Sequence, residues 1–208
     1  MFDKAFYINM RDRTDRRMNM KARLADLNID AERFDAINAG LIDTRHLDFG
    51  CKKKVLNNAE IGCFLSHRDI YKMIKAEGWE TTLILEDDCL FLEDYDFTVE
   101  LALRDMPEDW DMLYLGQHNY DSIKIAQSIE GRTHAIKEQI SGRLYKASRC
   151  WLTHAYIVRQ KAVDTLIKGT EVLYASIDGV LADVQEGLNV YAIYPNIVKQ
   201  DGTRSSIR

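Results

Sequence analysis

The chain has 208 residues, 46% of them hydrophobic and 10% aromatic, enough for one α/β domain with a well-covered core and too apolar for a disordered chain. Its 28 basic and 33 acidic residues leave a net charge of −5, which argues against a nucleic-acid-binding face. Four cysteines, Cys51, Cys63, Cys89 and Cys150, lack zinc-site spacing and are too few to staple a secreted scaffold. The start, MFDKAFYINMRDR, turns polar too soon for a signal peptide, and no apolar run has the length of a membrane span. These features predict a reduced, cytoplasmic protein, compatible with weak peripheral contact at the inner face of a membrane. CKKKV, from Cys51 to Val55, reads as a solvated lysine loop.

KAFYIN, Lys4 to Asn9, reads as a strand. A polar turn follows, then a helix with Thr14 as N-cap, Asp15 in its first turn and Met20, Leu24 and Leu27 on one face. ERFDAI reads as a second strand, so the opening is a parallel βαβ unit with a right-handed crossover. After an irregular connection from Gly40 to Asn57 comes the clearest helix, capped by Asn57 or Asn58, with Glu60 early and Gly78 closing it. Ile61, Phe64, Leu65, Tyr71 and Ile74 share its apolar face. TTLILE is a continuous apolar strand of the kind buried on both sides. A helix over Tyr95–Arg104 and a strand, DMLYLG, come next. Gln117 to Gly142 is a long polar connection. GRLYKAS and THAYIV read as strands, RQKAVDTLIKG and IDGVLADVQEG as helices, and NVYAIYP as a strand. The tail NIVKQDGTRSSIR has no periodicity. With no repeat and no obvious linker, a single domain over residues 1–208 is expected.

TTLILEDDCLF places Glu86, Asp87 and Asp88 in succession at the end of an apolar strand. In open α/β sheets ligands sit beyond the carboxyl ends of the strands. Crowded carboxylates there are tolerable around a hard divalent cation, or in a turn that faces water. Strand alternation would send Glu86 and Asp88 to one side and Asp87 to the other. Such a trio would equally serve a metal-dependent nuclease or phosphatase.

FYINMRDRTDRR, FDAINA, NNAEIGCFLSHRDIYKMI and LILEDDCLF, followed by THAYIVRQKAVDTLI, IDGVLAD and YPNIVKQDGTRSSI, resemble the successive blocks of glycosyltransferase family 25. The likeness runs over nearly the whole chain, in order. Thr14 stands where that family commonly has proline, and Ala59 where it has glycine. The chain stops soon after SSIR, whereas many members continue into a basic extension, which weakens the expectation of tight attachment to an anionic membrane.

The resemblance implies a GT-A-like nucleotide-binding sandwich with a mostly parallel central sheet flanked by helices. It implies transfer of a hexose, galactose above all, from a UDP-sugar to a glycan, glycolipid or glycoprotein acceptor, with inversion and with Mn²⁺ or Mg²⁺. A sugar-nucleotide-binding module without catalysis is the alternative. Carried over residue by residue, Asp88 would ligate the metal, and Glu86 or Asp87 would contact the ribose or the metal's water shell. Asn9, Arg13 and Arg17 fall in the block that would hold uridine and diphosphate, although Arg16 and Arg17 also suit a solvated helix face. Glu60 and Ser66 lie in the long-helix block assigned to the nucleotide sugar, beside His67, which equally suits a packed helix histidine. His154 is a candidate late ligand to the metal, together with Asp88 and Glu86. His46, His118 and His134 have no motif behind them. Inversion needs a base for the acceptor hydroxyl. Asp178 is the first candidate and Asp183 the second, with a helix-capping role open to Asp178.

Overall fold

The apolar hexapeptide Lys4–Asn9 forms the first strand, β1, and the chain returns through helix α1 (Thr14–Asp26) to a parallel neighbour, β2 (Glu32–Asp35). The structure, a computed structural model, describes residues 2–50, 55–117 and 135–202. Cys51 and the three lysines after it, His118, His134 and the terminal TRSSIR lie outside the described residues. Thr14 is the first helical residue and not the cap. Arg13 occupies the N-cap position, and no side chain caps α1.

Helix α2 (Asn58–Glu77) starts at Asn57, whose side chain accepts from the Glu60 N–H while the Glu60 carboxylate accepts from the Asn57 N–H, each at 2.9 Å. Such a box is worth about 0.5–2 kcal/mol. Gly78 ends the helix at φ 72°, where a side chain would be strained. The helix comes so close to the segment after β2 that a Cβ on Gly62 would lie 2.2 Å from the Ile37 carbonyl oxygen. Ser66 fastens the same contact, accepting from the Ile37 N–H and donating to the Gly62 carbonyl.

The remaining elements are β3 (Thr81–Glu86), β4 (Cys89–Phe91), α3 (Tyr95–Arg104), β5 (Met112–Gly116), β6 (Ala135–Ser141), β7 (Leu144–Ser148), β8 (Ala155–Arg159), α4 (Val163–Gly169), α5 (Ile177–Val184), β9 (Val190–Ile193) and β10 (Val198–Gln200). Eight strands form one sheet in the order β2-β1-β3-β8-β5-β9-β7-β6. β2, β1, β3, β5, β9 and β6 run one way, and β8 and β7 run against them. The α/β expectation therefore holds, with a reversed strand, β8, between β3 and β5. Three strands escape the sequence pattern: β4 directly after the acidic turn, β6 inside the polar connection, and β10 in the tail. β4 and β10 pair with each other as a separate antiparallel ribbon.

Strand alternation distributes the core. Phe6, Ile8, Ile84, Tyr114 and Tyr156 face α2, α4 and α5, while Tyr7, Leu83, Leu85, Leu113 and Ile157 face α1 and α3. Both faces of β3 are thus covered, as its unbroken apolar run requires. Each fully buried aliphatic contributes about 1.5–3 kcal/mol.

Candidate active site

Four strands meet at one edge of the sheet. β1 ends there at Asn9, β3 at Glu86 and β5 at Gly116, and the reversed β8 begins there just after Thr153 and His154. Asp87 and Asp88 form the two-residue turn from β3 to β4. The alternation expected for the three acids stops at Glu86, because the strand does, and all three line one crevice of about 250 Å³ together with Arg16, Asn38 and Cys63.

Each acid has a different set of partners. Asp87 is held from two sides: the Asn9 side-chain amide donates at 2.7 Å to one oxygen and the Arg16 guanidinium at 2.7 Å to the other. Glu86 accepts from the Thr153 hydroxyl at 2.7 Å, and the Nε2 of His67 lies 3.4 Å from the same oxygen. Burial works to raise the Glu86 carboxyl, but His67, Thr153 and His154 together hold it below the ordinary range. Asp88 is buried, 5% exposed, and its Oδ1 has no hydrogen-bond partner among the described residues. Burial first, then the charges of Glu86, Asp87 and Asp201, pushes its pKa up to about 7 against the pull of Arg16, which is 3.8 Å away.

Asp201 is the residue that sequence reasoning missed. The β4·β10 ribbon brings it back, so that its N–H donates to the Asp88 carbonyl at 2.8 Å, and Arg23 lies 3.5 Å from its carboxylate. Only the QDG turn sequence marked it, without any periodic signal around it. Arg16 was visible, but was read as part of a solvated face. It is buried against Asp87, at 2.7 Å.

Asp178 lies in the first turn of α5, behind Ser176 at the N-cap, and accepts from the Gly179 N–H at 2.9 Å. Its charge is felt at the crevice wall: after burial, the charges of Glu86, Asp178 and Asp88 raise the Cys63 thiol. Asp183 does not share this position. Arg149 binds one of its oxygens at 2.6 Å and the Tyr174 hydroxyl the other at 2.9 Å.

The other sequence candidates separate by geometry. Arg13 pairs with Asp15, and Arg17 is exposed on α1. Glu60 and Ser66 are occupied with capping α2 and tying it to the Ile37 segment. His154 is buried and turned toward β10, its Nε2 3.3 Å from the Val198 carbonyl and against Gly116, where a Cβ would sit 2.2 Å from that nitrogen. Burial lowers its pKa, against the opposing pull of Glu86. The ring of His67 meets Glu86 at 3.4 Å, with its Nδ1 on the Tyr156 hydroxyl at 2.8 Å.

The profile of Glycosyltransferase family 25 (LPS biosynthesis protein) matches residues 2–181, and the chain belongs to that family. It is 34% identical over 130 residues to procollagen galactosyltransferase 1-B of Xenopus laevis, an alignment covering 56% of this chain and 21% of that protein. Identity is 29% over 144 residues to human inactive glycosyltransferase 25 family member 3, covering 62% of this chain and 24% of that one. The chain spans about a fifth to a quarter of the length of these relatives. Among solved structures, a glycosyltransferase involved in glycosylating the major capsid of PBCV-1 superposes with a TM-score of 0.55 at 7% identity, over 97% of this chain and 93% of that one. That likeness concerns the fold.

Proposed function

We propose that residues 1–208 form a single glycosyltransferase domain that moves a hexose, galactose first among them, from a UDP-sugar to a hydroxyl of a glycan, glycolipid or glycoprotein, with inversion. The observation that carries this reading is Asp88: a buried carboxylate with an unpartnered oxygen, crowded by three other acids, at the strand-end edge where α/β sheets take ligands. An all-oxygen set of this kind suits Mn²⁺ or Mg²⁺, with Asp88 and Asp201 as the holding residues and Glu86 beside them. Such a cation, when bound, supplies charge neutralisation to the departing diphosphate.

The chain's own residues do the rest. Asn9 and Arg16 fix Asp87 and with it the shape of the turn. Arg13 and Arg17, beside the start of α1, would offer guanidinium groups to phosphate oxygens. Asp178, with one oxygen held by Gly179 and its charge felt at Cys63 on the crevice wall, takes the acceptor's proton. The fully engaged carboxylate of Asp183 suits a supporting role on α5. No described helix is long and apolar enough to cross a membrane, and Cys63, Cys89 and Cys150 are free thiols. The free thiols fit the reduced, cytoplasmic setting that the sequence predicts.

The similarity to a protein named inactive favours a second reading, in which the chain binds a nucleotide sugar without transferring it. Calorimetric titration with UDP, with and without Mn²⁺, followed by a screen of nucleotide sugars read by release of the diphosphate, separates the two. Metal-dependent UDP binding with release is the expected result. Binding without release supports the second reading, and no UDP binding overturns both.

A further inference from the structure

Cys63, on the crevice wall, and the buried His67 behind it lie four residues apart on α2, so their side chains stack on one face of the helix toward the end of β3. The Cys63 sulfur, a His67 ring nitrogen and a Glu86 carboxylate oxygen all lie within 4.8 Å of one another. His67 is fully buried, and its Nε2, 3.4 Å from Glu86, makes no hydrogen bond among the described residues. We propose that Cys63, His67 and Glu86 form a binding site for a zinc-class cation, which borders the hard-cation position through Glu86 but uses neither Asp88 nor Asp201 and does not rest on the transferase reading.

The donor set decides the metal. A thiolate and an imidazole select zinc or cobalt over manganese and magnesium. The outer partners are those a ligating trio needs. Tyr156 holds Nδ1 of His67 at 2.8 Å and is itself held by the Tyr71 hydroxyl at 2.7 Å, which leaves Nε2 as the ligating atom. Thr153 orients the Glu86 carboxylate. Three protein ligands with a fourth side open to the crevice leave room for a water. Binding releases the Cys63 thiol proton to solvent as the sulfur–metal bond forms. The surrounding charges of Glu86, Asp178 and Asp88, which disfavour a bare thiolate, favour a dication in the same place.

Titrating the metal-free full chain with Co²⁺ tests this, because a thiolate ligand gives a sulfur-to-cobalt charge-transfer absorption in the near ultraviolet. The expected result is one equivalent of Co²⁺ with that band, displaced by Zn²⁺ and not by Mg²⁺. Asp88→Asn should keep the band and Cys63→Ser should lose it. Tyr156→Phe should keep the band with an affinity about tenfold weaker. A wild-type chain without the band, or a band that survives in Cys63→Ser, overturns the proposal. If Cys63→Ser misfolds, unchanged cobalt affinity in both Tyr156→Phe and His67→Gln overturns it as well.

Discussion

The backbone N–H of Asp201 donates to the carbonyl oxygen of Asp88 at 2.8 Å, joining two acids 113 positions apart in the sequence. Their carboxylates repel, and the repulsion is one of the causes of the raised Asp88 pKa. A cation between them would relieve it. Asp201→Asn should therefore weaken Mn²⁺ binding by at least about tenfold, the lower end for a changed metal-site group. The thermal midpoint of the metal-free chain should stay level or rise. Calorimetry and a melting curve check the two halves separately.

The pH dependence follows from Asp88. Its carboxyl is raised from 3.8 to about 7 by folding, so the folded chain holds a proton that the unfolded chain releases earlier. The stabilisation this gives is complete below the unfolded value and is lost as pH rises through the folded one. In the metal-free state the wild-type midpoint should therefore fall, relative to Asp88→Asn, as pH goes from about 4 to about 7. Manganese competes with that proton, so its affinity should drop by about tenfold per pH unit below 7. Titration in buffers of different ionisation enthalpy should show release of about one proton.

Asp178 and Asp183 should part company on substitution. Asp178→Asn keeps the hydrogen bond from Gly179 but removes the base, so transfer should fall by about 10²–10⁴ with UDP affinity unchanged. Asp183→Asn should retain most of the transfer, because that carboxylate is spent on Arg149 and Tyr174. Initial rates at saturating donor distinguish them.

Neighbouring arginines on α1 should behave oppositely in stability. Arg16 is buried with Asp87, so Arg16→Met strands a carboxylate and should cost about 3 kcal/mol. Arg17 is exposed, and Arg17→Met should stay within about 0.5 kcal/mol of wild type. Urea denaturation monitored by tryptophan fluorescence measures both.

Gly116 should tolerate no side chain. A Cβ there would lie 2.2 Å from the His154 ring and 2.3 Å from the Val198 carbonyl oxygen. Gly116→Ala should cost about 1–3 kcal/mol by overpacking. It should also shift β10, so that manganese affinity falls along with stability, an effect that calorimetry on the folded variant isolates.

Much of this architecture was written in local pattern. The unbroken run TTLILE announced a strand covered on both faces, and Asn57, Glu60 and Gly78 marked both ends of α2 with their own chemistry. β4 and β10 were hidden because three-residue strands carry too few alternations to read, and their ladder joins segments far apart in sequence. The acidic turn was legible as a cluster. Which acid does what was not, since Asp87 is paired with Arg16 on another element, and the raised Asp88 carboxyl reflects burial first and then Glu86, with Asp201 adding to it from a distant strand. Glu60 and Ser66 show the converse: residues that the resemblance assigns to the site also hold α2 in position.

The surroundings of Asp88 are gathered from Arg16, Glu86 and Asp201. A ribosome delivers these in that order, with more than a hundred residues made between the last two. A nascent chain thus carries the acidic turn and its arginine well before the ribbon strand arrives to close over them. The acidic cradle is completed only once Asp201 has been made, long after the first βαβ unit has had time to form.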